Sequence, residues 1–266
     1  MKRWLVFTDL DGTLLDEDYD WIAARPAVEA LRAASIPIIL NSSKTLAEMA
    51  VIRNEMQLDG YCIAENGSVI HTAEMNANLE EYDTSIRDKL VTLAGELKKA
   101  HGYRFVGFSD WQFTDVMKFT GLSKVEAKLS MRRQATEPII WEDTQKRLNE
   151  FVNQLHKAGV KLVRGGQFMH LMLVNMSKGM AMQKVLNRYK QCMPEFGWGT
   201  VALGDSPNDW SMLEQADVGI LIPRIDHEVN HKRFPRVRRA SFPSACGWNE
   251  AILSWLSEIK EEVECE

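Results

Sequence analysis

The sequence has no apolar run near the roughly 20 residues needed to cross a bilayer, no CxxC pair and no excess of positive charge. The first absence predicts a chain that stays out of the membrane interior. The second leaves Cys62, Cys192, Cys246 and Cys265 scattered, with no His at zinc-ligand spacing, so they read as reduced thiols. The third, a formal net charge of -5, argues against a general nucleic-acid surface, which needs clustered Lys and Arg to neutralise phosphates. The exception is His231-Lys232-Arg233-Phe234-Pro235-Arg236-Val237-Arg238-Arg239, read as a solvated loop or an anion-attracting rim because Pro and Phe interrupt any helical face. No internal repeat or low-complexity tract is present. The basic start, Met1-Lys2-Arg3, precedes an apolar run that stops at Asp9, too soon for a signal-peptide core, and a cytoplasmic location is expected. Nothing in the sequence sets an oligomeric state.

What is present is a globular composition. About 45% of the 266 residues are apolar and both signs of charge are mixed, enough for one large domain or two unequal ones with a substantial core. Trp4 to Thr8 reads as a buried strand ending in Asp9-Leu10-Asp11-Gly12-Thr13. A helix over Arg25 to Ala34 and a strand over Ile36 to Leu40 follow. That strand stops at Asn41-Ser42-Ser43-Lys44-Thr45, where Thr45 or Ser43 caps a helix running through Met56. A strand over Tyr61 to Ala64 leads into the turn signature Glu65-Asn66-Gly67.

The middle of the chain changes character. Helical patterns over Ser85 to Ala100, Ser123 to Met131 and Thr144 to Ala158 alternate with strands over Ile139 to Trp141, Val160 to Val163 and Phe168 to Val174. Gly165-Gly166 marks a tight turn between the last two. Alternation then resumes, with a helix over Gly179 to Tyr189 and strands over Thr200 to Leu203 and Val218 to Leu221. The fold class expected is α/β: a Rossmann-like parallel-sheet core, residues 1–83 and 174–266, helices on both faces, and an α+β insertion, residues 84–173. Ligands of parallel sheets bind beyond the strands' carboxyl ends, where Asp9, Ser42 and Asp205 all fall.

Asp9 and Asp11 flank one residue and could be presented together around a hard cation, with Asp205 completing the site. A carboxylate that attacks phosphorus splits one difficult displacement into two easier ones. Asp9, held at a strand end, suits the nucleophile, and Asp11, opening the turn, suits the general acid and base. Ser42 can donate a hydrogen bond to a transferring phosphoryl group, and Lys178 can neutralise charge on it as a point cation. Gly204-Asp205-Ser206-Pro207-Asn208-Asp209 offers a metal carboxylate, with Asn208 and Asp209 able to hold metal-bound water or orient Lys178. Singly, each piece has an ordinary reading: a turn after a strand, a helix cap, a surface lysine, an acidic loop.

Together they resemble the haloacid dehalogenase superfamily of phosphotransferases, whose four motifs occur in this order. The resemblance implies Mg2+ as cofactor, held by Asp9, Asp11 through its backbone carbonyl, and Asp205, with Asp209 beside them. Glu65-Asn66-Gly67 also looks like the turn of members whose α+β cap lies between the second and third motifs. Within the cap, Arg132, Arg133, Gly165, Gly166, Gln167 and His170 stand out, because Arg captures carboxylates and a Gly-Gly turn exposes N–H groups to an anion or a sugar. With Ser43 and Lys44, these segments are similar to those of mannosyl-3-phosphoglycerate phosphatases. That implies hydrolysis of a small phosphorylated sugar or glycerate, mannosyl-3-phosphoglycerate, to mannosylglycerate and phosphate. Gln167 stands where many such proteins have Arg, and Ser42 where they have Thr. A broader sugar-phosphate phosphatase, a phosphomutase and a silent binding protein on the same scaffold are the alternatives.

Overall fold

The computed structural model describes residues 2–71, 84–165, 167–224 and 235–264, with side chains to residue 261. The chain opens with β1 (Lys2–Thr8), α1 (Arg25–Ala33), β2 (Ile38–Asn41), α2 (Leu46–Glu55), β3 (Cys62–Ala64) and β4 (Val69–His71). It continues through α3 (Ser85–His101), β5 (Phe105–Gly107), α4 (Phe113–Thr120), α5 (Lys124–Ser130), β6 (Glu137–Trp141), α6 (Gln145–Lys157), β7 (Val160–Arg164) and β8 (Met169–Leu173). Last come α7 (Lys178–Cys192), β9 (Gly197–Gly204), α8 (Trp210–Leu213), β10 (Val218–Leu221), β11 (Arg238–Arg239) and α9 (Ser244–Glu264). Two compact units result: Met1–Ser42 with Lys178–Glu266, and Ser43–Ser177. The second is longer at its start than the insertion expected over 84–173, because α2 and the β3–β4 hairpin group with it.

The first unit is the parallel-sheet core of an α/β fold. Its strands run in the order β11-β10-β9-β1-β2, all parallel. Leu5, Val6 and Phe7 of β1 are fully buried, as are Val201, Ala202 and Leu203 of β9, which explains why both strands read as continuous apolar runs. Register fixes the site: Thr8 pairs with Leu203 on one side and with Leu40 on the other. Asp9, Asn41 and Gly204 therefore leave the sheet at one level on the carboxyl edge. Trp248 and Trp255 of α9 are buried, and Trp248 Nε1 donates to Thr8 Oγ1 at 2.9 Å, tying that helix to the strand end that carries Asp9.

The second unit is α+β. Strands β5-β6-β8-β7 form an antiparallel sheet, and β3 pairs antiparallel with β4. Leu90, Phe105, Ile139, Phe151, Leu155 and Leu171 make its main core. Thr45, not Ser43, caps α2: its hydroxyl accepts from Glu48 N at 3.1 Å, and Glu48 Oε2 accepts from Thr45 N at 2.8 Å.

Some elements differ from expectation. The strand expected from Ile36 enters the ladder at Ile38, after Pro37, which lacks an N–H to donate. Strands β4, β5 and β11 and helices α4, α8 and α9 have no counterpart among the elements expected from the sequence. In the basic run, Arg238 and Arg239 form β11 beside β10, and Arg238 pairs with Glu258 at 2.6 Å, while positions 231–234 lie outside the described residues. Cys62 is a buried free thiol whose pKa burial pushes up to about 11, and Cys192 and Cys246 are exposed and free; Cys265 lies outside the described residues. No helix among the described residues is long and apolar enough to cross a membrane.

Candidate active site

The site is assembled from three strand ends and one helix start, all within the first unit. Asp9 follows β1, and its N–H donates to Leu203 O at 2.9 Å, which prolongs the ladder by one residue and fixes the backbone beneath the carboxylate. The turn after it is closed by Gly12 N to Leu15 O at 3.1 Å and Leu15 N to Leu10 O at 2.8 Å, so Asp11 sits half-buried at the edge of a short loop. Gly12 has φ +73°, and a Cβ there would lie 2.8 Å from Asp205 Oδ2. Only glycine lets this turn approach Asp205 so closely. Ser42 is buried immediately after β2.

Lys178, the first residue of α7, is fully buried with its ammonium between two carboxylates, 2.7 Å from Asp9 Oδ1 and 2.6 Å from Asp209 Oδ1. Asn41 Nδ2 donates to Lys178 O at 3.1 Å, holding the helix start against β2. The glycine that follows is also required, because a Cβ on Gly179 would collide with the carbonyl of Ser211. Asp209 is the anchor of the acidic loop: its Oδ2 accepts from Asp205 N at 3.1 Å and Ser206 N at 3.0 Å. Asp205 Oδ1 accepts from Ser206 Oγ at 3.1 Å and more loosely from Thr13 Oγ1 at 3.4 Å, and its Oδ2 is 2.8 Å from the Arg224 guanidinium. Ser206 Oγ also lies 2.8 Å from the Asn208 side-chain amide, which places Asn208 at the loop's rim.

Electrostatics follow from burial. Desolvation, with Asp209 next, raises the Asp9 carboxyl well above its ordinary value, against the pull of Lys178. Burial and then Asp209 push Asp205 up to about 6, against Arg224 and Lys178. Burial disfavours the Lys178 ammonium, but Asp209 and Asp9 outweigh that and raise its pKa. The pair thus pulls two ways, and the reason is that one ammonium cannot neutralise two carboxylates at once. Lys178 keeps its charge, and that single charge is shared between Asp9 and Asp209.

Such a cluster fits a divalent cation. Asp9, Asp205 and Asp209 each offer a buried carboxylate oxygen within 4.8 Å of the others. An all-oxygen donor set is what a hard ion such as magnesium prefers, and a bound ion would lower the raised carboxyl pKa values. Of the three, Asp209 is the most committed, since Lys178 and two backbone N–H groups already use its oxygens. Asp9 and Asp205 are the better ligands.

The remaining residues singled out in the sequence belong to the second unit. Arg133 is buried and donates to Ser43 O at 3.2 and 3.3 Å and to Thr136 Oγ1 at 3.0 Å, with its guanidinium 5.6 Å from the Phe108 ring centre. Two of its nitrogens therefore serve the unit's own scaffold. Arg132, Ser43 and Lys44 are half-buried, and Gln167 is exposed. Gly165 N donates to Phe168 O at 2.9 Å, closing the turn between β7 and β8, and a Cβ on Gly165 would approach His170 Nε2 at 2.9 Å. His170 is buried on β8, and Gly166 lies outside the described residues.

Sequence reasoning missed Arg224 and the Trp248 to Thr8 bond. Arg224 was open to discovery, since it stands three residues beyond β10 and strand ends of a parallel sheet are where ligands gather. Trp248 carries no local signal of its contact, 240 positions away.

Residues 6–232 match the family model described as haloacid dehalogenase-like hydrolase. Among solved structures, the chain is similar to a haloacid dehalogenase-like hydrolase from Bacteroides thetaiotaomicron (TM-score 0.65, 15% identity, 95% of this chain and 98% of that one). It is similar also to a Thermotoga maritima protein (TM-score 0.65, 19% identity, 96% and 97% covered). A third is the sucrose-phosphatase of Synechocystis sp. PCC6803, solved with sucrose and phosphate (TM-score 0.63, 17% identity, 96% and 98% covered). At these identities the likeness is one of fold.

Proposed function

The chain belongs to the haloacid dehalogenase-like hydrolases, and on that premise we propose that it is a magnesium-dependent phosphatase of a small phosphorylated metabolite, working through a phosphorylated Asp9. The observation that carries this reading is the buried contact of Lys178 with Asp9, 2.7 Å, at the end of a parallel strand and beside Asp205. An Asp9 carboxylate oxygen forms the new bond to phosphorus while the bond from phosphorus to the substrate oxygen breaks. Asp11, half-buried at the loop edge, gives its proton to the departing alkoxide. Water then attacks the phosphorus of the acyl phosphate, Asp11 takes the water's proton, and inorganic phosphate leaves with Asp9 restored. Lys178 holds Asp9 in place and offsets its charge, and Ser42 donates to a phosphoryl oxygen. Magnesium, held by Asp9, Asp205 and the Asp11 carbonyl, would supply Lewis-acid stabilisation of the phosphoryl oxygens.

The first unit is the hydrolase core in this reading and the second is the cap that selects the substrate. The motif resemblance favours mannosyl-3-phosphoglycerate, and the fold shared with a sucrose-phosphatase is in keeping with a sugar-bearing phosphate ester. Arg132, Lys44, Gln167 and His170 are the proposed readers of that substrate. Arg133 is better suited to holding the cap together, given its bonds to Ser43 O and Thr136. Phosphate release across a panel of phosphorylated sugars, glycerates and an aryl phosphate, with magnesium, tests the proposal. Turnover of mannosyl-3-phosphoglycerate well above the rest is expected. Release of phosphate from none of them would reject a phosphatase, and preference for another sugar phosphate would reject only the substrate.

A further inference from the structure

Four acids crowd the carboxyl edge of the sheet, Asp9, Asp11, Asp205 and Asp209, and among the described residues Lys178 and Arg224 form ion pairs with them. The two bases are not equivalent. Lys178 is fully buried and shared between Asp9 and Asp209, whereas Arg224 is one-quarter exposed and contacts Asp205. The Asp205 side chain is itself wholly buried, and its other oxygen is met by the hydroxyls of Ser206 and Thr13, which bring no charge. Among the described residues, Arg224 is therefore the basic side chain in direct contact with Asp205, with Lys178 acting on it from further away. The bond is made to Oδ2, the oxygen beside which Gly12 leaves room.

We propose that Arg224 is a displaceable counter-ion: it stabilises Asp205 when no divalent cation is bound and competes with that cation for the same carboxylate. The inference rests on the cation-binding reading given above. An arginine head with access to water can leave once a divalent ion takes over the buried carboxylate, because solvent replaces the guanidinium's own hydrogen bonds, while a wholly buried lysine has no such exit. A divalent ion carries twice the charge of the guanidinium and outbids it electrostatically at short range. Placing Arg224 three residues past β10 puts that switchable charge on the edge where the substrate's phosphate must also arrive. The residue is thus a positioning residue for the cation site, and it sets how tightly the ion is held.

Manganese binding to the full chain without substrate, read by the loss of the free-ion EPR signal, tests this directly. Arg224→Gln is expected to bind Mn2+ about tenfold more tightly than the wild type, since it removes a competing charge. The cation-free Gln variant is expected to melt at a lower temperature, and added Mn2+ to recover more of the difference than it does for the wild type. Arg224→Lys, which keeps the charge, is expected to bind close to wild-type affinity and serves as the folded reference if the Gln variant is unstable. A purely structural arginine would give weaker or unchanged Mn2+ binding in the Gln variant, and that result overturns the inference while leaving the metal site standing. Absence of binding in wild type, Gln and Lys variants alike would overturn the metal reading and this inference together.

Discussion

At the residue scale, the chemistry depends on how one ammonium is divided. Lys178 touches both Asp9 and Asp209, so Asp9→Asn leaves it with a 2.6 Å partner in Asp209 and replaces a carboxylate that burial disfavours by a neutral isostere. Phosphate release is expected to fall by roughly three orders of magnitude or more, with a melting temperature within a few degrees of wild type. Residual turnover near the wild-type rate would remove Asp9 as nucleophile. Asp205 makes a second prediction, because its folded pKa of about 6 lies above the ordinary 3.8. A raised carboxyl pKa means that the folded chain holds an extra proton, so this group's contribution to cation-free stability is full below about 4 and lost as pH rises through about 6. Protons and divalent ions then compete for the same oxygen. Mn2+ affinity is expected to be near its plateau at pH 8 and to drop about tenfold for each pH unit below 6, measurable by titration calorimetry. A flat affinity from pH 8 to pH 5 would contradict the raised pKa.

At the element scale, the loop after β3 holds most of the instruction. Glu65, Asn66 and Gly67 all have positive φ, 50°, 58° and 90°, a conformation that costs an ordinary residue on the order of 1 kcal/mol. What offsets it is the buried Glu65 carboxylate, which accepts from the N–H groups of Gln134, Ala135 and Thr136 and from the Thr136 hydroxyl, at 2.7 to 3.1 Å. Arg133 extends the same network by donating to Thr136 Oγ1 at 3.0 Å. Glu65→Ala strands three backbone donors and is expected to cost about 3 kcal/mol or more in chemical denaturation, whereas a surface acid such as Glu142 should cost under about 0.5 kcal/mol. The turn itself was legible in Glu65-Asn66-Gly67, but its acceptor role was not, since its partners lie some 70 positions on. The same limit explains the missed elements. Strand β5 is three residues long, and five of the eight residues of α4 are Phe, Thr or Val, whose local preference is for strands; its start is set by Gln112 N donating to Asp115 at 2.9 Å, and Gly121 at φ 78° ends it. By contrast, β1, the Thr200 to Leu203 part of β9 and α6 announced themselves, because buried parallel strands are apolar runs and α6 buries Leu148, Phe151 and Leu155 at helical spacing, while the Gly-Trp-Gly start of β9 carries no such run.

At the scale of the whole molecule, the chain separates two tasks. The charged site lies wholly within the unit 1–42 with 178–266, and the Glu65 network wholly within the unit 43–177. The four motifs could be gathered from sequence because each ends or begins a core element and the parallel register brings Asp9, Ser42 and Asp205 to one edge. The residues proposed to read substrate were far less legible, since Arg132 and Arg133 are neighbours in sequence and the exposure that distinguishes them comes only from packing. This division makes a last prediction. On the proposed reading, magnesium at 100 times its dissociation constant should stabilise the chain by about 2.7 kcal/mol, because it would bind the folded acids and not the unfolded chain. Glu65→Ala should lower stability by the same amount with or without the ion, and the two effects should add within about 0.5 kcal/mol, as sites that share no partner do. Calorimetry on both proteins, with magnesium and with chelator, gives the four values needed. A magnesium effect that disappears in the Glu65 variant would show that the two units do not keep their tasks apart.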